Sequence, residues 1–427
     1  MSIRTRPLLI LLLAALLVLP GAAAAWELRL TNDDFEQRNP AISGTKVVWQ
    51  ERQNLDDDWD IVLYDGMTGQ IRQLTDDLKD QVNPQIAGRY VVWEDYRNSQ
   101  ALENPDIYLL DLETGAETMV NLPDSLFGGY ECSPAISDDD GVIVTWIDKV
   151  ESETNNQSEP KRSEQGRIFF REIGVSGGPR QAYQDSNTQT KPWVSGKKLV
   201  WTDTDFGGVY FRHLQDDSTR VLERMSNESI DRLRSSGDRI VWSQYNSDQW
   251  DWNIRICELD LDLQNGTKRW LSPSESFQTH PAIDGNLVVW SDARRDSGDI
   301  YLFDIAANEE RPLVSAESQQ FETAIDGEIV AFTDLRDGYE IYLAGARSTT
   351  PLFGVVTVPG GTGVPGDTNG DGICEDVNGN GRKDFADVVL YFNQMSWIAG
   401  HEPVPRFDFN RNGRIDFADV VWLFNAL

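Results

Sequence analysis

The chain has 427 residues, with 38 Lys and Arg against 70 Asp and Glu, a formal net charge of −32, three cysteines and three histidines. Its length allows more than one domain with a sizeable core, and its acidity argues against nucleic acid, whose phosphates need clustered Lys and Arg. Cys132, Cys257 and Cys374 fit no CxxC or CxxH spacing, and His213, His280 and His401 fit no HxH or HExxH spacing, so zinc is not expected, nor is a disulfide.

The chain opens "MSIRTRPLLILLLAALLVLPGAAAAWEL". Arg4 and Arg6, an apolar run to Leu19 and a group of small alanines make residues 1–25 a secretory signal peptide, cut after Ala25. The run is short for a bilayer span, and no later stretch is apolar enough to cross one. The expected location is outside the cell, in solution or held at the cell surface.

One unit then recurs seven times, at spacings of about 40–60 residues. Its first part reads "NPAISGTKVVWQE", "NPQIAGRYVVWED", "SPAISDDDGVIVTWID", "KPWVSGKKLVWTD", "RLRSSGDRIVWSQ", "HPAIDGNLVVWSD" and "ETAIDGEIVAFTD". The aromatic anchors are Trp49, Trp93, Trp146, Trp201, Trp242, Trp290 and Phe332. A second run of the "DIYLLD" type follows each anchor, then a third of the "IRQLT" type. Short runs rich in Val, Ile, Tyr and Trp, bounded by Gly, Asp, Asn and Pro, are strands, and four per unit suit a propeller blade. The "PAI" piece is expected innermost, with its Pro at the strand start. The last unit lacks a fourth strand, and residues 28–31, "LRLT", are expected to supply it. Seven blades are expected over residues 26–346, or six if the fifth unit, which lacks the Pro, is not a blade.

"DIYLLDLETG" and "PAIDGNLVVWSD" resemble the WD40-like repeats of TolB-type β-propellers, a resemblance that implies binding or scaffolding more than chemistry. The anchors read as core, while Trp59, Trp193, Trp250 and Trp252 fall outside the anchor position and are candidates for stacking on sugars. The third unit carries a polar insertion, "DKVESETNNQSEPKRSEQGR", expected as an exposed loop, and sequons stand at Asn156, Asn227 and Asn265. Gly174, Ser176 and Gly178 fit G-x-S-x-G, but another strand follows where a nucleophile elbow needs a helix, so the motif reads as a hairpin turn. The scarcity of histidine weakens a resemblance to propeller-type pectate-fragment lyases, which rely on a His cluster for a metal. No catalytic residue is assigned, and the chain is expected not to be an enzyme.

Residues 347–365, rich in Thr, Pro and Gly, read as a linker. Beyond it, "DVNGNGRKDFAD" and "DFNRNGRIDFAD" recur 32 residues apart. They place Asp376, Asn378, Asn380, Arg382 (backbone carbonyl), Asp384 and Asp387, and Asp408, Asn410, Asn412, Arg414 (carbonyl), Asp416 and Asp419, at positions 1, 3, 5, 7, 9 and 12 of a calcium loop. Gly381 and Gly413 hold position 6, where the chain bends sharply. An overlapping third loop would use Asp367, Asn369, Asp371 and Glu375. Each main loop enters a helical pattern, Phe385, Val388, Val389 and Phe392, then Phe417, Val420, Val421 and Phe424, and the two helices are expected to bury these faces on each other.

A duplicated loop–helix with Asp at position 12 resembles the type I dockerin over residues 366–427. That resemblance implies two bound Ca2+ ions, with a third site open. It also implies a cohesin-like or other surface protein as partner, recognised at Phe385, Ala386, Phe417 and Ala418. The propeller-plus-dockerin layout is similar to surface proteins of methanogenic archaea. The fold expected is an all-β propeller followed by a small α calcium-binding domain. The function expected is a secreted or surface-attached binding or scaffold protein. The alternatives are a dockerin-borne carbohydrate-active enzyme and a structural surface-layer component.

Overall fold

The computed structural model describes residues 26–31, 34–99, 104–121, 130–152, 163–184, 188–205, 207–224, 230–246, 250–260, 266–295, 297–347, 355–368, 373–402, 404–410, 412 and 414–427. The expected signal peptide, Asn156, Asn227, Asn265, Asn369, Asp371 and Gly413 lie outside these residues.

Each repeat folds as an antiparallel sheet, and the described residues contain seven sheets of four strands. The fold is a seven-bladed β-propeller. In the first blade the strands run inside to outside as Glu36–Ser43, Lys46–Arg52, Asp60–Asp65 and Gln70–Gln73. The second strand carries a continuous apolar run because blades cover both of its faces there: Val47, Val48 and Trp49 are all fully buried. The outermost strand is exposed along its length. The core is divided among the blade interfaces. One cluster joins Trp49 and Tyr64 of the first blade to Ile341 and Leu343 of the last, and another joins Val48 and Leu63 to Trp93 of the second. Truncating one such Trp to Ala costs about 3–5 kcal/mol.

After four of the seven anchors, the residue two places on has a job of its own. The indole Nε1–H donates to Glu51 from Trp49 at 3.1 Å, to Asp95 from Trp93 at 2.7 Å, to Gln244 from Trp242 at 2.8 Å and to Asp292 from Trp290 at 3.0 Å. In blades two, six and seven this acid also pairs with an Arg two residues on, as Asp95–Arg97, Asp292–Arg294 and Asp334–Arg336, each at 2.6 Å. The guanidinium lies over a Tyr of the third strand, for example Arg294 over Tyr301 at 4.2 Å. A buried carboxylate is thereby compensated by a charge and by an N–H donor.

The ring closes as the sequence indicates. Glu27–Arg29 pairs antiparallel with Glu340–Gly345 of the last blade. Thr31 Oγ1 accepts from Ile341 N at 2.9 Å, as Thr75 Oγ1 of the first blade accepts from Ile61 N at 2.8 Å. The fifth repeat is a complete blade despite lacking the Pro. Two details differ from expectation. The insertion in blade three is strand at both ends, since Ile143–Ser152 pairs with Ser163–Glu172 out to Ser152↔Ser163. The proline is not at the inner strand's start but inside it, at a bulge where the ladder shifts between Arg38 and Ala41 and needs no donor from Pro40. The G-x-S-x-G stretch is a turn between Ser163–Glu172 and Arg180–Gln181, with Gly174 at φ 81°.

The C-terminal module holds helices α1 (Phe385–His401), α2 (Val404–Phe407) and α3 (Phe417–Asn425). Tyr391 is its centre, fully buried against Phe407 and Phe409, with its Oη donating to Phe407 O at 2.7 Å. The expected linker ends sooner than its composition suggests. Val355 and Val358 are buried in the module core, and Thr362 N donates to Asn378 O at 2.7 Å. Gly363 and Gly379 lie backbone to backbone, where a Cβ on Gly379 would stand 2.2 Å from Gly363 C. The glycines that made this stretch look like a spacer are there for close packing. Trp26 packs against both the module core and the first-to-last blade interface.

Candidate functional site

The two C-terminal loops repeat one hydrogen-bond pattern. In the first, Asp376 Oδ1 accepts from Asn380 N at 3.0 Å, and Asp387 accepts from Asn378 N at 2.9 Å and Asp384 N at 2.7 Å. In the second, Asp408 Oδ1 accepts from Asn412 N at 3.0 Å, and Asp419 accepts from Asn410 N at 3.1 Å and Asp416 N at 2.8 Å. Asn380 and Asn412 side chains accept from Arg382 N and Arg414 N at 2.9 and 3.1 Å. Asp376, Asp387, Asp408 and Asp419 are all buried. Asp384 and Asp416 cap α1 and α3, and Asp387 and Asp419 return a capping-box bond, so the loop acids also start the helices. The D-x-x-D spacing is the signal in the sequence for this second role.

Burial raises the Asp387 carboxyl above its ordinary value. Its two backbone donors oppose this, and Asp376 and Asp384 add to the rise. Asp419 is raised in the same way, with Asp408 and Asp416 adding to it. Like charges gathered around buried carboxylates are what a divalent cation relieves, and each carboxylate keeps acceptor capacity beyond its backbone bonds. The donor set is all oxygen, which suits Ca2+ and not a soft metal. Among the described residues no three His, Cys, Asp or Glu side chains form a preformed metal cluster, so amide and carbonyl oxygens would have to complete each shell. In the overlapping third loop, Glu375 is buried, accepts from Thr368 at 3.3 Å and has Lys383 Nζ 3.9 Å away.

The helix faces differ from expectation. Val388 and Val420 are buried, but Phe385, Val389, Phe392, Phe417, Val421 and Phe424 are exposed, Phe385 by 59% and Phe417 by 57%. The four rings meet crosswise and edge-on, Phe385 with Phe424 at 6.2 Å and Phe392 with Phe417 at 6.1 Å. The core is filled instead by Tyr391, Phe407 and Phe409, leaving the duplicated face open as one apolar patch. Ala386 and Ala418 are exposed beside it.

A second candidate site is the propeller's channel, a cavity of about 310 Å³ lined by all seven inner strands. At the bulge of each inner strand one residue has a left-handed backbone: Asn39, Asn83, Ser133, Lys191, Arg232, His280 and Glu322, with φ between 41° and 55°. In five blades the residue precedes Pro. The bulge repeats with the fold, so its strain is structural, but it decides which side chains form the ring. The residue opening each repeat was the signal for this ring in the sequence. Blades one to three stitch theirs to a neighbour: Asn39 N donates to Glu322 at 2.8 Å, Asn83 N to Gln50 at 2.9 Å and Ser133 N to Glu94 at 2.8 Å. Blades four to six place Lys191, Arg232 and His280 there. Trp193 also lines the channel, whereas Trp250 is 80% exposed, Trp59 lies under Arg52 and Trp252 contacts Tyr245.

Solved structures with this fold include an oligogalacturonate lyase in complex with manganese, 16% identical, with a TM-score of 0.57 over 77% of this chain and 96% of that one. A puromycin-hydrolyzing peptidase of Mycobacterium tuberculosis is 15% identical, with a TM-score of 0.54 over 77% of this chain and 54% of that one. The β-propeller domain of the Trilobed protease of Pyrococcus furiosus is 13% identical, with a TM-score of 0.54 over 74% of this chain and 95% of that one. That domain is described as having an open velcro topology, whereas here Glu27–Arg29 closes the ring. No family model matches the chain. No curated protein matches it.

These likenesses overturn the expectation that the chain is not an enzyme, because lyases and peptidases share its fold. At such identities they establish the fold and leave the activity open. Local motifs were a poor guide, since a channel site is assembled from side chains on seven separated strands.

Proposed function

We propose that this is a secreted, surface-associated protein whose propeller binds a protein or glycan and whose C-terminal module, folded around calcium, attaches it to a cohesin-like or other surface protein. The observation that carries this reading is the exposed, duplicated Phe–Val–Phe face on α1 and α3, directly beside two acidic loops of calcium spacing. An apolar patch on a small module within so acidic a chain is the mark of a docking surface. Phe385, Ala386, Phe417 and Ala418 form its contact residues. The test is binding of the full chain to purified cohesin-type modules with calcium present. Phe385→Asp and Phe417→Asp together abolish binding, while either alone weakens it less, because the face is duplicated. Binding unchanged by the double variant, or absent to every such module, contradicts the reading. The fold likeness to a lyase favours a second reading, a carbohydrate-active enzyme attached by the same module. Release of fragments from polygalacturonate by the full chain tests it.

A further inference from the structure

The charge around the channel is uneven. Lys191 pairs with Asp231 at 3.3 Å and donates to Ile230 O, so these two charges compensate each other. Glu322 accepts from Asn39 N at 2.8 Å and Thr333 Oγ1 at 2.9 Å. The Arg232 side chain has no hydrogen bond or ion pair among the described residues. Arg234 uses one donor on Leu233 O, at 2.9 Å, and its guanidinium lies over the Trp193 ring at 4.0 Å. Trp193 is itself anchored through Nε1 to Ser235 O at 3.2 Å. Both arginines line the channel, and neither is exposed. In a chain of net charge −32, two under-used guanidiniums two residues apart on one inner strand stand out chemically.

We propose that the blade-five side of the channel is an oxyanion site, in which Arg232 and the stacked Arg234 hold the carboxylate or phosphate of a small ligand. This rests on reading the propeller as the ligand-binding part of the molecule, and it is independent of the C-terminal module. A guanidinium presents a planar fork of donors that matches such an anion in a bidentate contact. Stacking on Trp193 fixes the plane of Arg234 before a ligand arrives. The cavity, about 310 Å³, is at the small end of ligand pockets, which suits one sugar acid or a short dicarboxylate. Burial holds both guanidiniums below their ordinary pKa, and Arg232 adds to the depression at Arg234, while Glu322 and Asp231 oppose it only in part at Arg232, and Asp231 in part at Arg234. An anion would relieve both. Burial and Arg232 also hold the neighbouring His280 imidazole down to about 3, so it adds no positive charge beside the two arginines at neutral pH.

The experiment is calorimetric titration of the full chain, in calcium and low salt, with D-glucuronate, succinate, inorganic phosphate and, as the neutral control, D-glucose. Saturable binding of at least one anion and none of glucose is expected, and the anion preferred identifies the source of the charge. Arg232→Gln weakens that binding tenfold or more. Arg232→Lys, which keeps the charge but not the fork, weakens it about threefold to tenfold and decides the matter if the Gln variant does not fold. Absence of saturable binding for all three anions, or an affinity unchanged in the Arg232 variants, overturns the proposal. A chain that docks through its tail yet ignores all three anions sinks this inference alone.

Discussion

Glu402 shows how one buried acid ties two segments together. It follows α1, is buried, and its carboxyl accepts from Val356 N at 3.2 and 3.3 Å, holding the segment that brings Val355 and Val358 into the module core. Burial pushes its pKa up from 4.5 to about 7. Between these two values the folded state keeps a proton that the unfolded state releases. Stability is therefore fully present below 4.5 and falls as pH rises to about 7. The loss amounts to about 3 kcal/mol. Glu402→Gln keeps a neutral acceptor for Val356 N and removes the titration. Denaturant unfolding from pH 4.5 to 7 is expected to show a flatter profile in the variant. Since burial also raises Asp387 and Asp419, the difference between the two proteins is the quantity to read. Parallel profiles would show that Glu402 does not titrate in this window.

At the scale of elements, the closing strand is short, and one side chain does much of the joining. Thr31 Oγ1 accepts from Ile341 N and donates to Glu340 at 2.5 Å, while Arg29 pairs with Glu340 at 2.6 Å. Thr31→Val leaves the Ile341 amide without its acceptor at a buried position, at a cost of about 1–3 kcal/mol. Faster hydrogen exchange at Ile341 than at Ile61, which keeps Thr75, is the expected signature; equal exchange would mean that the closure does not depend on Thr31. This strand was legible in advance because "RLT" matches "RQLT" in type and spacing. The inner strands were legible in position but not in shape: a bulge is set by the ladder with a neighbour, and the proline alone suggested a strand start. The α1 and α3 faces were misread for a related reason. Period shows which residues share a face, but not whether the partner helix covers that face. Tyr391, Phe407 and Phe409 fill the space that the phenylalanines were expected to fill.

The whole molecule joins two kinds of core. The propeller spreads its apolar interior over the blade interfaces, so its stability comes from many similar contacts. The C-terminal module has one small core and two acidic loops whose buried carboxylates repel one another. A module of that size gains much from a bound ion, whereas the propeller is closed by the pairing of Glu27–Arg29 with the last blade. Trp26 touches both cores and keeps them adjacent. The ring of channel residues escaped sequence reading because its members come from strands some 40–60 residues apart. The two loops of calcium spacing were plain because the residues at the ligand positions of each lie within one short segment. The most direct test is differential scanning calorimetry of the full chain across a calcium titration. Two transitions are expected, of which the smaller, C-terminal one climbs with calcium by about 1.4 kcal/mol per tenfold rise above the dissociation constant for each site, and disappears in chelator. The larger propeller transition stays in place. A smaller transition that ignores both calcium and chelator would contradict the claim that the tail is a calcium-folded module.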